Sequence, residues 1–381
     1  MRAYLPAESI ELVHSGTDFF DRLIGLLDIA RQEIHVQIYI FDADDTGRKV
    51  ADALQRAARR GVQVWLMVDE FGSDKLPHKF IQELERAGVH FRFFKQAVSF
   101  WKWRFGRTLH HKVVVVDNKH ALVGGINIAD KYHGTEKQAA WLDFAVYIRG
   151  AVCAELALLC TDIFTQQYWK TRDRKKGRST LFPEGDPAGQ VRFRLNDWMR
   201  RKTEVYQSYA RGISSARHTL VFTASYFLPG RSVRRRLNAA VRRGVDVRVL
   251  LTGPSDVKLS QLAEQFLIYW MLRRGIRVFR WEGSVMHGKT MQVDGHWSTL
   301  GSYNINRLSR FRSLELNVDI ADPDFNRHFY LHLDELLLKR CTEITPDHDP
   351  AISNFWTRWK ARLAYHLAVY LMRLLFPEKR K

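Results

Sequence analysis

His110 and Lys112 stand one residue apart, Asp117 follows after four residues, and Gly124, Gly125 and Asn127 complete the pattern H-x-K-x4-D-x6-G-G-x-N. The pattern returns as His287, Lys289, Asp294, Gly301, Ser302 and Asn304, with every interval from the histidine to the asparagine unchanged. Two histidines, two lysines and two carboxamides are the parts that displacement at phosphorus needs. One imidazole can attack, the other can protonate the departing oxygen, and ammonium and amide groups can neutralise the non-bridging oxygens. Lysines that are protonated near neutral pH make poor metal ligands, and neither motif carries a carboxylate cluster, so no catalytic metal and no cofactor are expected.

These side chains need strands to hold them. Val113 to Val116 is a β-branched run without a turn residue, which reads as a buried strand. Alternation along a strand then sets His110 and Lys112 on one face and His111 on the other, and does the same for His287 and Lys289. Asp117 and Asp294 close the two motif strands. Although grouped with the catalytic histidines and lysines, they are expected to fix the motif rather than touch phosphate. Gly124, Gly125, Gly301 and Ser302 are small enough to let backbone approach a ligand, and Ser302, Asn127 and Asn304 are expected to bind the substrate phosphate.

Around the first motif, strands are expected at Ile10–Val13, Ile34–Phe41, Val62–Val68 and Val89–Phe94. They alternate with helices at Phe19–Ala30 (N-capped from Thr17-Asp18), Lys49–Arg60 and Lys79–Ala87, and Asp42–Thr46 reads as a turn. The order implies an α/β fold with a largely parallel sheet flanked by helices. The second half repeats it: Ala58-Arg59-Arg60-Gly61-Val62-Gln63-Val64 answers to Val241-Arg242-Arg243-Gly244-Val245-Asp246-Val247. One lobe made twice follows, with lobes at 1–169 and 191–345, a basic linker at 170–190 and a basic amphipathic helix at 346–381.

The 381 residues carry a formal charge of +19, and 46% are apolar. That excludes a disordered chain and points to a polyanionic partner. Cations and aromatics interleave from Lys95 to Arg107, through Trp101, Lys102, Trp103 and Arg104, as suits a membrane interface or stacked bases. The C-terminal helix suits an anionic membrane surface, on which the chain is expected to lie without spanning it. Three cysteines, Cys153, Cys160 and Cys341, form no metal or redox pair, and the first two are spaced to share a helix face. No signal peptide is expected from the N-terminal residues.

The doubled motif resembles that of the phospholipase D superfamily. Ile38-Tyr39-Ile40-Phe41-Asp42, Asp69-Glu70-Phe71-Gly72-Ser73 and Ala224-Ser225-Tyr226-Phe227-Leu228-Pro229 narrow the resemblance to the short-type bacterial cardiolipin synthases, over roughly residues 8 to 335. The resemblance implies two pseudo-symmetric lobes with one active site between them, His110 as nucleophile through a phosphohistidine, and His287 as general acid and then base. It implies that an acid after each motif orients its histidine, Asp143 for His110 and Glu315 for His287. It also implies phosphatidyl transfer between phospholipids, and a location peripheral to the cytoplasmic face of a bacterial inner membrane. A hydrolase releasing phosphatidic acid and a nuclease of the same superfamily are the rival activities. Nucleic acid is not the expected partner, because a nuclease has no need of the C-terminal helix.

Overall fold

The computed structural model describes residues 3–95, 107–170, 180–253, 258–345, 359–367 and 370. The aromatic, basic stretch from Phe100 to Phe105, residues 171–179 of the expected linker and much of the C-terminal segment lie outside them. In chain order the first half runs β1 (Leu5–Pro6), β2 (Ser9–His14), α1 (Thr17–Ile29), β3 (Glu33–Ile38), α2 (Asp45–Arg59), β4 (Gln63–Asp69), α3 (His78–Arg86), β5 (Val89–Phe94), β6 (Thr108–Leu109), β7 (Lys112–Val116), β8 (His120–Gly124), α4 (Asp130–His133), β9 (Phe144–Arg149) and α5 (Cys153–Phe164). The second runs β10 (Gln190–Asp197), β11 (Lys202–Thr203), α6 (Glu204–Ser215), β12 (Thr219–Ala224), α7 (Arg231–Arg242), β13 (Asp246–Thr252), α8 (Lys258–Leu272), β14 (Arg277–Trp281), β15 (Lys289–Val293), β16 (Trp297–Gly301), α9 (Arg307–Phe311), β17 (Ser313–Ile320), α10 (Pro323–Arg340) and β18 (Cys341–Ile344).

The duplication shows in the strand order. The first sheet runs β2-β9-β8-β7-β3-β4-β5, and the second contains β10-β17-β16-β15-β12-β13-β14 in the corresponding places. Two α/β lobes are therefore present as expected, but their sheets are mixed rather than largely parallel. Apart from β6 joining β17, parallel pairing within each is confined to β3-β4-β5 and to β12-β13-β14, where helices cross over. The motif strand pairs antiparallel on both sides in each copy. The pairing with β8 and with β16 follows from the turn after each motif. Asp117 and Asn118 have φ of 51° and 55°, and Asp294 and Gly295 have 53° and 69°. Two successive left-handed residues make the tight hairpin turn favoured by Asp-Asn and Asp-Gly, and a hairpin is antiparallel.

Val113 and Val115 face a core shared by the lobes, and Val114 and Val116 face one that lies under α1 and α2. Both faces of β7 are thus covered, which explains a run of four valines rather than an alternating strand. The shared core runs from Phe144 and Val146 to Phe193, Leu316 and Phe329 without a polar break, so the lobes are one packed body. Cys153 and Cys160 are buried in it, as their spacing predicted. Helix boundaries move slightly. α2 begins within the expected turn, because Asp44 caps it by accepting from Gly47 N. α1 starts at Thr17 with Gly16 as N-cap, and Asp18 instead accepts from His14 N.

Candidate active site

Each histidine is delivered by a short crossing of chain between lobes. β6, just before His110, leaves its own sheet to pair with β17 of the second lobe, and His110 N donates to Leu314 O at 3.0 Å. In the mirror arrangement Leu142 bridges Met286, and His287 N donates to Leu142 O at 2.7 Å. The oxygens of Asp69 secure the first crossing by accepting from Leu109, Phe71 and Gly72 N.

This exchange decides which acid meets which histidine. His110 Nδ1 lies 2.9 Å from Glu315 Oε2, and His287 Nδ1 lies 2.7 Å from Asp143 Oδ2. The expected pairing is therefore crossed: the acid of each lobe orients the histidine of the other. Strand pairing across the interface brings the acid of the partner lobe closest, so the shorter aspartate has no distance to make up.

Lysines and aromatics fill the space between. Lys112 Nζ donates to His110 O at 3.0 Å and lies 4.9 Å from the Tyr39 ring centre. Lys289 Nζ lies 2.9 Å from His287 Nδ1 and 3.2 Å from Nε2. Tyr39 meets His110 edge-on at 4.8 Å, and Tyr226 faces His287 at 6.4 Å between ring centres. Tyr132 hydroxyl, from the first lobe, sits 3.5 Å from His287. Tyr132 and Trp141, whose rings lie 5.3 and 5.8 Å from that of His287, carried no motif signal, whereas Tyr39 and Tyr226, in the segments that carry the resemblance, occupy matching places after β3 and β12.

Burial governs the titration of this set. It drives both histidines below the usual imidazole range, and Lys112 and Lys289 reinforce it, so both rings are neutral at rest. Lys112 is held well below the normal amine range by burial and by Lys289. Burial lifts Asp143 to about 7, against the pull of Lys289, and lifts Asp69 to about 6. His111 points away as expected, its Nδ1 3.1 Å from Gln37 Oε1, and burial lowers it to about 3.

Several expected site residues do other work. Asp117 accepts from Arg31, Gln32 and Glu33 N at 2.7 to 3.0 Å, and Asp294 from Arg217, His218 and Thr219 N at 2.8 to 2.9 Å. Both sit at the end of the motif strand remote from the histidine, so neither touches reacting atoms. Ser302 gives its hydroxyl to Glu315 Oε2 at 2.5 Å and so holds the acid rather than a phosphate. Asn127 spends Oδ1 on Ile40 N and donates from Nδ2 to Tyr132 hydroxyl at 2.7 Å, which makes it a support for that phenol. Asn304 accepts from Ser225 hydroxyl at 2.9 Å, leaving its NH2 group as the donor it can offer. The glycines admit a neighbouring strand, not a ligand: a Cβ on Gly125 would lie 2.4 Å from Asp143 Oδ1, and one on Gly301 2.4 Å from Leu316 O. A cation has little to hold it, since each acid engages a histidine and two lysines stand among them.

The arrangement offers two neutral imidazoles, each backed by a carboxyl group, with positive charge beside them. The family described as "Cardiolipin synthase, PLD-like domain" matches residues 23–146 and 209–337. The cardiolipin synthase B of Salmonella typhimurium is 28% identical over 94% of this chain and 87% of its own. The cardiolipin synthase A of Pseudomonas putida is 31% identical over 90% of this chain and 71% of its own. A phosphatidylserine synthase of Haemophilus influenzae superposes with a TM-score of 0.73 at 15% identity, covering 98% and 96% of the two chains, which shows a shared fold. With both halves matched and both motifs meeting between the lobes, this chain belongs to the cardiolipin synthase family of phospholipase D-like enzymes.

Proposed function

We propose that the protein makes cardiolipin by moving a phosphatidyl group from one phospholipid, phosphatidylglycerol or a similar donor, to the glycerol hydroxyl of a second phosphatidylglycerol, through a phosphohistidine. The crossed pairing of the histidines with Glu315 and Asp143 carries the reading, because it gives the two rings different proton arrangements. Glu315 accepts from Ser302, and an acceptor carboxylate at His110 Nδ1 places the ring proton there, leaving the Nε2 lone pair to attack. Asp143, lifted to about 7 by burial, can carry its own proton to His287 Nδ1, so that His287 Nε2–H is the donor.

His110 Nε2 forms the N–P bond as the P–O bond to the headgroup glycerol breaks. The departing oxygen takes the Nε2 proton of His287, and the Asp143 proton follows to Nδ1. The acceptor hydroxyl then returns a proton to His287 Nε2, its oxygen bonds phosphorus, the N–P bond breaks, and Asp143 recovers its proton. Lys112, Lys289 and the Asn304 amide steady the phosphoryl oxygens. Membrane contact at the cytoplasmic face comes from the C-terminal helix, where Trp359, Leu363, Leu367 and Tyr370 are each about half exposed or more, and from the basic aromatic stretch before the first motif.

The test is a product assay on phosphatidylglycerol vesicles with lipids resolved by mass spectrometry. Cardiolipin from the wild type, and none from His110→Ala, is expected. Phosphatidic acid as the sole product would replace synthesis by hydrolysis. Covalent labelling by radiolabelled phospholipid that survives His110→Ala but not His287→Ala would reverse the two roles.

A further inference from the structure

The helices α2 and α7 are copies of one element, and α7 lacks the acids that open α2. α2 has Asp44 as N-cap and Asp45 in its first turn. α7 has Gly230 as N-cap, no acid in its first turn, and Arg231, Arg234 and Arg235 within its first five residues. Aligned on Arg60-Gly61-Val62 and Arg243-Gly244-Val245, Arg231 matches Arg48, but Arg234 and Arg235 stand where the first lobe has Ala51 and Asp52. Cations at a helix N-terminus oppose its dipole and weaken the helix, so helix stability does not account for them. Arg231, Arg234 and Arg235 have no carboxylate partner among the described residues.

They border a cavity of about 370 Å³ that is also lined by Asn238 and Trp270. Arg234 is steadied by two rings, 5.8 Å from the centre of Trp270 and 5.7 Å from that of Tyr365. Tyr365 belongs to the helical segment 359–367, which docks on α8 through Tyr365, 4.8 Å from Phe266. On the opposite side of that segment lie Trp359, Leu363 and Leu367, exposed. The loop from β12 into α7 passes Tyr226, which faces His287, so the arginines open at the catalytic end of the sheet.

We propose that Arg231, Arg234, Arg235 and Trp270 form a second site, separate from the histidines, for the phosphate of an anionic phospholipid held in the bilayer. Guanidinium groups suit phosphate geometry, and the exposed apolar stripe next to the pocket identifies a lipid surface rather than free phosphate as the source. The proposal rests on the synthase reading only for the presence of a bilayer, and its test needs no turnover.

The test sediments the full-length protein, carrying His110→Ala so that lipid is not consumed, with phosphatidylcholine vesicles with or without phosphatidylglycerol. Arg231→Glu with Arg235→Glu, both exposed positions, is expected to weaken binding to the anionic vesicles about tenfold or more. Lys49→Glu with Lys79→Glu, an equal charge change on the first lobe, is expected to stay within about twofold. Equal losses from both pairs, or none from the arginine pair, would overturn the site. Unchanged vesicle binding together with lost calorimetric binding of inorganic phosphate would reassign it to the free anion. Absence of cardiolipin synthesis in the separate product assay would leave this result standing.

Discussion

His110 and His287 are sequence equivalents in unequal surroundings. His110 is paired with Glu315, which Ser302 holds, whereas His287 is paired with Asp143, whose corresponding neighbour Gly125 offers no hydroxyl. That difference gives a pH prediction. Burial raises Asp143 to about 7, so the protonated form that supplies His287 is present below that pH and is lost above it. Turnover should therefore fall as pH rises through about 7. Asp143→Asn should lower kcat roughly a hundredfold or more and remove that alkaline limb, while circular dichroism stays native. A limb that persists in the variant assigns the titration to another group. The histidines and lysines were legible from spacing, since each lies at a fixed place in a doubled pattern, while Asp143 and Glu315 came from the family resemblance. Their pairing was not, because it depends on β6 joining β17 across the lobes, a contact between residues some two hundred positions apart. Ser302 and Asn127 were misjudged for a related reason: a polar residue in a motif reads as a ligand for substrate until its protein partner is seen.

Strands come closest where the glycines stand, and this makes the packing of β8 against β9 part of the catalytic geometry. A methyl group on Gly125 would meet Asp143 Oδ1 at 2.4 Å and Oδ2 at 2.6 Å. Gly125→Ala should push the carboxyl group away from His287 Nδ1. The cost should be about 1–3 kcal/mol of stability, seen in urea unfolding, together with a drop in kcat at nearly unchanged KM. A variant that loses stability but keeps kcat would show that the Asp143 position is not critical. The crossover units β3-α2-β4-α3-β5 were readable from alternation, amphipathic spacing and glycine stops. The antiparallel entry of the motif strand was encoded too, in Asp117-Asn118 and Asp294-Gly295. It was obscured because the β-α-β order of the crossover units was extended to the motif strand, although the aspartates were read as closing it.

A charge of +19 and a duplicated fold define the whole molecule, but neither says which side would face lipid under the proposed function. The C-terminal segment offers a candidate. Sequence periodicity groups Trp359, Leu363, Leu367 and Tyr370 on one apolar face of a helix, and such a pattern cannot separate docking on the protein from docking on a membrane. In the fold Ala361 and Tyr365 are buried, Tyr365 against Phe266 of α8, while the other four lie about 47 to 59% exposed within one arc of the helix. An apolar arc left outward on a helix already anchored by its opposite side suits the headgroup boundary of a bilayer. Burying each large side chain there contributes on the order of 1 kcal/mol or more. Trp359→Ser with Leu363→Ser should therefore reduce vesicle binding at least roughly tenfold and lower turnover on vesicles in proportion. Turnover on a short-chain lipid below its micelle concentration should be kept, because the catalytic groups are untouched. Unchanged vesicle binding, accompanied by a smaller particle in light scattering, would instead make the arc a contact between two copies of the chain.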